Sequence, residues 1–504
     1  MIDILHTNNG YSSPIPHIVI IGGGITGLSA AFYLEREAQA RGLAIRYTLI
    51  EREKRWGGKL LTDTVDDFVI EGGPDSFITQ KPWGVQLARD LGLGDQLIPI
   101  SERRGKVYVF SRGRLQPMPD GMMLIVPTRI MPFALSPLIS PVGKLRMALD
   151  LVLPARRDSS DETVADFIRR RLGREALDKL AEPLLSGIHN SETERQSIMA
   201  TFPRLREVEA RHGSLIRGMV AQRAASLRRQ ATSARPSTPL ANSPFVTLKN
   251  GVAGLTNALV QSLTGRLING RGVATLAHDP TASQPYRIHL DDGERLDADI
   301  VMLTAPAYTA AELVESFLPR LATGLRQIRY VSTGTVSLAY RRADVGTLMD
   351  GYGVVIPRAE GRRINAITIS SSKFAHRAPD DSVLLRVFVG GSRNPDVMDL
   401  EDTALLALVQ AELRTVLGLQ ATPLFSRIYR WPRANPQYDV GHLEHMNALE
   451  RLCPPGLLLS GSAYRGVGIP DCAHQGQQAA MDALAYVDTL PAGQYATSNA
   501  VEAS

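Results

Sequence analysis

The chain has 504 residues, 44% of them hydrophobic and 21% charged, with a formal net charge of +5 and a mean hydropathy of -0.07. That length exceeds what one hydrophobic core organises, so two or three domains are expected. The composition excludes wholesale disorder, collagen-like repeats, an all-coiled-coil molecule and a polytopic membrane protein. Two cysteines, Cys453 and Cys472, are too few for a disulfide framework or a structural zinc site and fit a reducing compartment.

Along the chain, the residues from Met1 to Pro16 lack a basic stretch followed by a long apolar core. No secretory signal is expected, and the chain reads as cytoplasmic. From His17 an apolar run enters Gly22, Gly23, Gly24, Ile25, Thr26 and Gly27, then a helix of small residues. This is a strand, a glycine turn and a helix: Gly22 for the tight turn, Gly24 for close backbone approach to a pyrophosphate, Gly27 for helix-on-strand packing. The helix amino terminus faces the phosphates. Arg46 to Glu51 reads as a second strand ending in an acid where a ribose hydroxyl needs an acceptor, with Arg52 beside it. An adenosine dinucleotide is expected, and NAD and FAD both satisfy the pattern so far.

Next come Gly57, Gly58 and Lys59, then Gly73, Pro74, Asp75 and Ser76. An uncharged run from Ile130 to Gly143 is too short to span a bilayer and carries Pro132, Pro137 and Pro141. With Arg129, Lys144, Arg146, Arg156 and Arg157 around it, it suits contact with one leaflet of an anionic membrane or, equally, a buried segment between domains. Asp161 to Leu180 is amphipathic, with Val164, Phe167, Ile168 and Leu172 on one stripe and Arg169, Arg170 and Arg171 mostly off it. Between Ala210 and His278 there is no Asp or Glu but nine Lys or Arg, so the rest of the chain sums to about -4. No nucleic-acid motif accompanies that stretch. Ala221 to Phe245 reads as an exposed basic loop.

Leu248 to Leu255 leads a helix, Val273 lies in a strand suited to offering its backbone to adenine, and Ala298 to Pro306 is another buried strand. Leu457 to Gly461 is a strand running into glycines, with Val467, Gly468 and Ile469 opening the last helix. These form a second phosphate-and-ring cradle, so the nucleotide domain is discontinuous. His189, His376, His442 and His474 lack metal-ligand spacing, and no metal site is expected.

Together these segments resemble the FAD-dependent, oxygen-linked porphyrinogen oxidases of haem synthesis, within the amine oxidase superfamily. The resemblance runs from about His17 to Asp488 and rests on the double-glycine segment, Gly73 to Phe77, Glu182 to Ile188 with Ser197 to Pro203, Phe388 to Asn394, and Gly466 to Cys472. The last segment resembles the bacterial branch acting on coproporphyrinogen III more than the plant and animal branch acting on protoporphyrinogen IX. The implied fold is α/β: a discontinuous Rossmann-like FAD-binding domain (15–85, 246–310, 426–490), a mixed-sheet substrate domain (86–127, 311–425) and a helical, membrane-facing insertion (128–222). A basic loop (223–245) and a disordered tail (491–504) complete it.

The resemblance implies FAD held by the glycine segments and Glu51, with Trp431 in the loop before the last flavin strand. It also implies substrate contacts at Lys81, Val355, Thr368 and Phe388. Each of the last three also fits ordinary strand core, since alternation from Val383 to Val389 buries Phe388 or its neighbours in any case. The flavin would take hydride from ring methylenes in three passes, dioxygen would reoxidise it to give hydrogen peroxide, and no catalytic triad is required. A porphyrinogen substrate, dioxygen, a membrane surface and handover to the next haem-pathway enzyme are the implied partners, nucleic acid is not among them, and monomer and homodimer stay open. The sequence departs from the family at His189 to Glu192 and at Thr368, where an apolar residue is common; the basic residue that plant-type members use for a substrate propionate falls near Lys106 or Val107, and Lys81 is the better basic candidate. Rival readings are a flavin amine oxidase, a carotenoid-type desaturase, and a non-catalytic binding protein on the same fold.

Overall fold

The structure, a computed structural model, describes residues 15–101, 106–123, 125–186, 190–232, 240, 243–346 and 351–490. The tail 491–504, His189, nearly all of Met1 to Pro16 and much of the loop read at 223–245 lie outside the described residues.

Five parallel strands form one sheet in the order Arg266–Asn269, Arg46–Glu51, His17–Ile21, Ile300–Leu303, Leu457–Leu459. His17–Ile21 and Ile300–Leu303 are buried throughout, as strands covered on both faces must be. The sheet draws on three distant stretches of chain, as the discontinuous reading expects. Helices Ile25–Arg41 and Ile469–Val487 pack on one side of it, sharing a core with Leu28, Leu34, Ala480 and Leu484. They meet backbone to backbone: a side chain at Gly476 would collide with the Thr26 carbonyl.

The second sheet has seven strands in the order Phe425–Pro436, Tyr330–Arg341, Ser382–Gly390, Ile364–Ile369, Gly353–Val355, Val107–Ser111, Arg114–Pro117. It is mixed, since Gly353–Val355 runs parallel to Val107–Ser111 while its other neighbour is antiparallel. One face carries Val336, Leu338, Ile367, Leu385 and Val387 and packs with Leu405, Val409 and Leu413 of the helix Asp402–Leu417. The other face looks toward the glycine segments. Phe425–Pro436 belongs to this sheet, so the boundary at 426 falls inside a strand. Trp431 is a strand residue rather than a loop residue, because its edge strand finds a full-length partner in Tyr330–Arg341.

The helical insertion builds its own core from Phe133, Leu138, Val164, Phe167, Ile168, Leu172, Leu180, Leu205 and Leu215. The stripe predicted at Val164, Phe167, Ile168 and Leu172 is buried. Arg171 departs from its expected solvent position: it is fully buried against Asp150. The helix ends at Arg171, with Gly173 at a φ of 89° before the chain re-enters helix and a π-helical stretch, Leu177–Ser186. The region read as a loop from Ala221 is helical as far as Thr232, within Leu215–Thr232. Ala, Gln, Leu and Arg are strong helix formers, and neither Gly nor Pro interrupts 219–232. The run Ile130–Gly143 divides its residues: Phe133, Leu138 and Ile139 enter the core, while Ile130, Met131, Leu135 and Val142 are 67–82% exposed.

Candidate functional site

The glycine segments predicted from sequence converge at the carboxyl end of the parallel sheet. Gly22 takes a φ of 119° and donates its N–H to the Ile50 carbonyl at 2.8 Å. A side chain at Gly27 would strike the Gly22 carbonyl, so only glycine lets this helix start so close to the strand. Gly24 bridges Gly57, and the Gly57 N–H donates to the Gly23 carbonyl at 2.8 Å. A side chain at Gly73 would run into the Lys59 carbonyl, which joins the third segment to the second. From the far end of the chain, a Cβ at Gly461 would stand 3.4 Å from the Thr304 carbonyl and 3.9 Å from Thr26 Oγ1.

This geometry fits a flavin dinucleotide. A Cβ at Gly24 would meet nothing within 4 Å, leaving open space where the turn exposes its backbone. The helices that begin at Ile25 and Ile469 are preceded by Gly24 and Gly468, and neither has a side-chain cap. The first-turn N–H groups of the helix at Ile25 are therefore available to an anion, whereas the helix at Ile469 carries Pro470, which has no N–H, and the carboxylate of Asp471 in its first turn. The Glu51 carboxylate accepts from the Gly23 N–H at 2.7 Å and the Glu53 N–H at 2.9 Å, which fixes it at the end of the second strand. Arg52 packs beside Gly272, next to Val273, so the two residues predicted to flank the adenosine are brought together.

Lys59 is half-buried and donates to the Ala434 carbonyl, and loss of hydration lowers its affinity for a proton. It ties the second glycine segment to the end of the strand carrying Trp431. The Trp431 indole N–H donates to the Gly72 carbonyl at 2.8 Å, and Thr335 Oγ1 donates to the same oxygen at 3.3 Å. The open face of the seven-stranded sheet thus lies directly against the Gly72–Gly73 segment.

Strand register places the predicted walls on that face. Val355 pairs with Ala366, Ala366 with Phe388, and Phe388 with Thr335; one row away, Gly353 pairs with Thr368 and Thr368 with Arg386. Val355, Thr368 and Phe388 are all half-buried, whereas their neighbours Val354, Ile367 and Val387 are in the core on the opposite face. The register puts all three on that face, and Val355 packs there against the core of the helical insertion. Lys81 belongs to neither sheet face: its ammonium pairs with Asp471 at 2.5 Å, beside Gly468 at the start of the last helix.

Sequence reasoning missed a buried charge cluster between the glycine segment and the sheet. Lys373 Nζ lies 2.8 Å from Asp75, Arg386 Nη1 4.0 Å from Asp75, and Arg377 3.5 Å from Glu71. Burial alone would raise the Asp75 carboxyl, but Lys373 and Arg386 outweigh it and hold it well below the usual range. Burial pushes Glu71 up to about 7 against the pull of Arg377. Arg386 also donates to the Gly73 carbonyl, and its guanidinium carbon lies 4.7 Å from the Phe388 ring centre. The available signal was a lone arginine inside an apolar strand, two residues before Phe388 and hence on the same face. A second missed pair, Glu182 and Arg393 at 2.5 Å, links the two middle signature segments. Glu182 also accepts from the Arg358 N–H, and Arg393 donates to the Ile356 carbonyl, so together they grip the corner that follows Val355.

Residues 25–484 match the family of flavin containing amine oxidoreductases. The chain is 37% identical to coproporphyrinogen III oxidase of Bacillus subtilis over 94% of its own length and 98% of the relative's. It is 27% identical to the chloroplastic protoporphyrinogen oxidase of Nicotiana tabacum, over 93% of this chain and 85% of that one. A solved structure from Exiguobacterium sp. 255-15, described as a candidate protoporphyrinogen oxidase, superposes with a TM-score of 0.81 at 30% identity, covering 95% of this chain and all of that one.

Proposed function

The chain belongs to the flavin containing amine oxidoreductases, among the porphyrinogen oxidases, and from that membership we propose that it oxidises coproporphyrinogen III to coproporphyrin III with FAD and dioxygen. The carrying observation is that Val355, Thr368 and Phe388 stand half-buried in two adjacent rows of a sheet face set against Gly72–Gly73. A broad macrocycle of four pyrroles joined by methylenes needs an extended wall facing the cofactor ring, and a sheet face supplies it. The greater identity to a coproporphyrinogen III oxidase than to a protoporphyrinogen oxidase favours the four-propionate substrate.

FAD, when bound, accepts hydride from the macrocycle and passes the electrons to dioxygen, one hydrogen peroxide for each two-electron oxidation. Loss of six electrons and six hydrogens from the substrate thus consumes three dioxygen and yields three hydrogen peroxide. In this reading Gly22 to Gly27, Glu51, Arg52, Gly57 to Lys59, Gly73 to Ser76, Val273, Gly461 and Val467 to Ile469 hold the cofactor. Trp431 and Thr335 pin the Gly72 carbonyl, and so set the spacing between the glycine segment and the wall. Phe388 and Val355 offer apolar surface, and Thr368 a hydroxyl. The protein holds and shields the reactants, which is where an enzyme of this kind contributes to rate.

The same reading sets the helical insertion against an anionic bilayer at the inner face of the membrane. No helix among the described residues is long and apolar enough to cross a membrane. The insertion nevertheless exposes Ile130, Met131, Leu135, Val142 and Leu145, fringed by Arg129, Lys144 and Arg146, with no acid between Asp120 and Asp150.

The test is porphyrin fluorescence after the purified holoprotein meets each porphyrinogen in air, against a protein-free control. Acceleration is expected with both and is greater for coproporphyrinogen III. A yellow protein that accelerates neither overturns the proposal.

A further inference from the structure

Between Thr368 and Ser337 on the wall stands Arg386, 4% exposed, with its guanidinium over the ring of Phe388. A guanidinium has five N–H donors and needs acceptors for them when buried. Arg386 donates through Nη2 to the Gly73 carbonyl, and its Nε–H is without a partner among the described residues. Asp75, at 4.0 Å, is beyond hydrogen-bond reach and is engaged by Lys373 at 2.8 Å.

Arg171, fully enclosed beside Asp150, shows what a purely structural guanidinium looks like in this fold. Its five N–H groups all find acceptors, on Asp150 Oδ1 and the carbonyls of Asp150, Leu153, Pro154 and Gly213. Arg386 is left open by comparison. The cluster around it is also unbalanced among the described residues: Lys373, Arg377 and Arg386 face only Glu71 and Asp75. A buried cation in excess destabilises a fold unless an anion completes it.

We propose that Arg386 is the seat of one substrate carboxylate, making it a specificity-determining residue of the wall. The ligand class is an acidic tetrapyrrole: the macrocycle lies on Phe388 and a propionate reaches Nη1, the guanidinium nitrogen that makes no hydrogen bond among the described residues and is not enclosed as Nε is. The proposal rests on the porphyrinogen reading and adds to it the residue that distinguishes an acid from its ester.

The test measures binding of coproporphyrin III and of its tetramethyl ester to the flavin-loaded protein by fluorescence titration, for wild type, Arg386→Gln and Arg386→Lys. The visible flavin spectrum checks cofactor content in each. Loss of one charge-assisted hydrogen bond weakens the acid about tenfold in Arg386→Gln. Ester binding stays unchanged, and Arg386→Lys falls between for the acid. If the Gln variant does not fold, the Lys variant must still weaken the acid and spare the ester. Equal weakening of acid and ester overturns the seat, as does a change confined to flavin content or spectrum, which would assign the cation to the cofactor. A wild-type holoprotein that binds neither porphyrin overturns the porphyrinogen reading and the seat with it.

Discussion

Replacing Arg171 with Met removes the cation that organises the insertion. Arg171 and Asp150 are both 0% exposed, and Asp150 also accepts from Ser214 Oγ at 2.6 Å and the Ile216 N–H at 2.9 Å. Without Arg171 the aspartate stays buried with hydrogen bonds but no counter-charge, and removing one partner of such a pair costs about 3–5 kcal/mol. The carbonyls of Leu153, Pro154 and Gly213 lose donors as well. Arg171→Lys keeps the charge but offers three donors where five are used, so a loss of about 1–3 kcal/mol is expected. Asp150→Asn combined with Arg171→Met removes both charges, and the double variant is more stable than the sum of the single losses requires. Urea unfolding followed by circular dichroism measures the totals, and hydrogen exchange over 141–171 localises them. An Arg171→Met variant within about 1 kcal/mol of wild type, or strict additivity in the cycle, would refute the reasoning.

Gly27→Val forces the first helix off the strand, because its side chain meets the Gly22 carbonyl. Flavin affinity falls at least about tenfold, read from the ratio of visible to ultraviolet absorbance after dialysis. Burial raises the Glu71 carboxyl from 4.5 to about 7, so the folded protein keeps a proton there that the unfolded chain releases. The stability this group contributes is complete below about pH 4.5 and is lost as pH rises through 7. Between pH 5 and 8, wild type loses about 2–3 kcal/mol relative to Glu71→Gln, a gap that denaturation at the two pH values measures. Vesicles rich in anionic phospholipid bind the protein, high salt weakens the binding, and combined Ser substitutions at Ile130, Leu135, Val142 and Leu145 abolish it without changing turnover in solution. Equal binding by that variant would remove the insertion from the membrane account.

The nucleotide half of the site was legible because its demands are local. A backbone that must approach another backbone needs glycine, and a strand covered on both faces needs an unbroken apolar run; Gly22, Gly27, His17–Ile21 and Ile300–Leu303 show both. The wall was half legible. Alternation in Val383 to Val389 put Phe388 on one face, but only pairing with Ile364–Ile369 and Tyr330–Arg341 showed which face is core and which looks toward Gly72. Resemblance alone put Trp431 in a loop; it stands in a strand despite Pro432 and Pro436 because an edge strand tolerates both. Arg171 and Arg386 were opaque for a common reason. A buried guanidinium is recognised by its acceptors, and these come from residues 17 to 313 positions away in sequence.

The central claim is that a porphyrinogen gives its hydrogens to a flavin across the face that holds Phe388. Anaerobic mixing of the yellow holoprotein with coproporphyrinogen III tests it most directly, with the visible absorbance followed for wild type and Phe388→Ala before any oxygen is admitted. The account predicts that wild-type absorbance bleaches on mixing, and that Phe388→Ala bleaches only at higher substrate concentration, by about tenfold or more for loss of a buried aromatic contact. Absorbance unmoved by the porphyrinogen but bleached by a primary amine would contradict it, as would an identical concentration dependence in the two proteins.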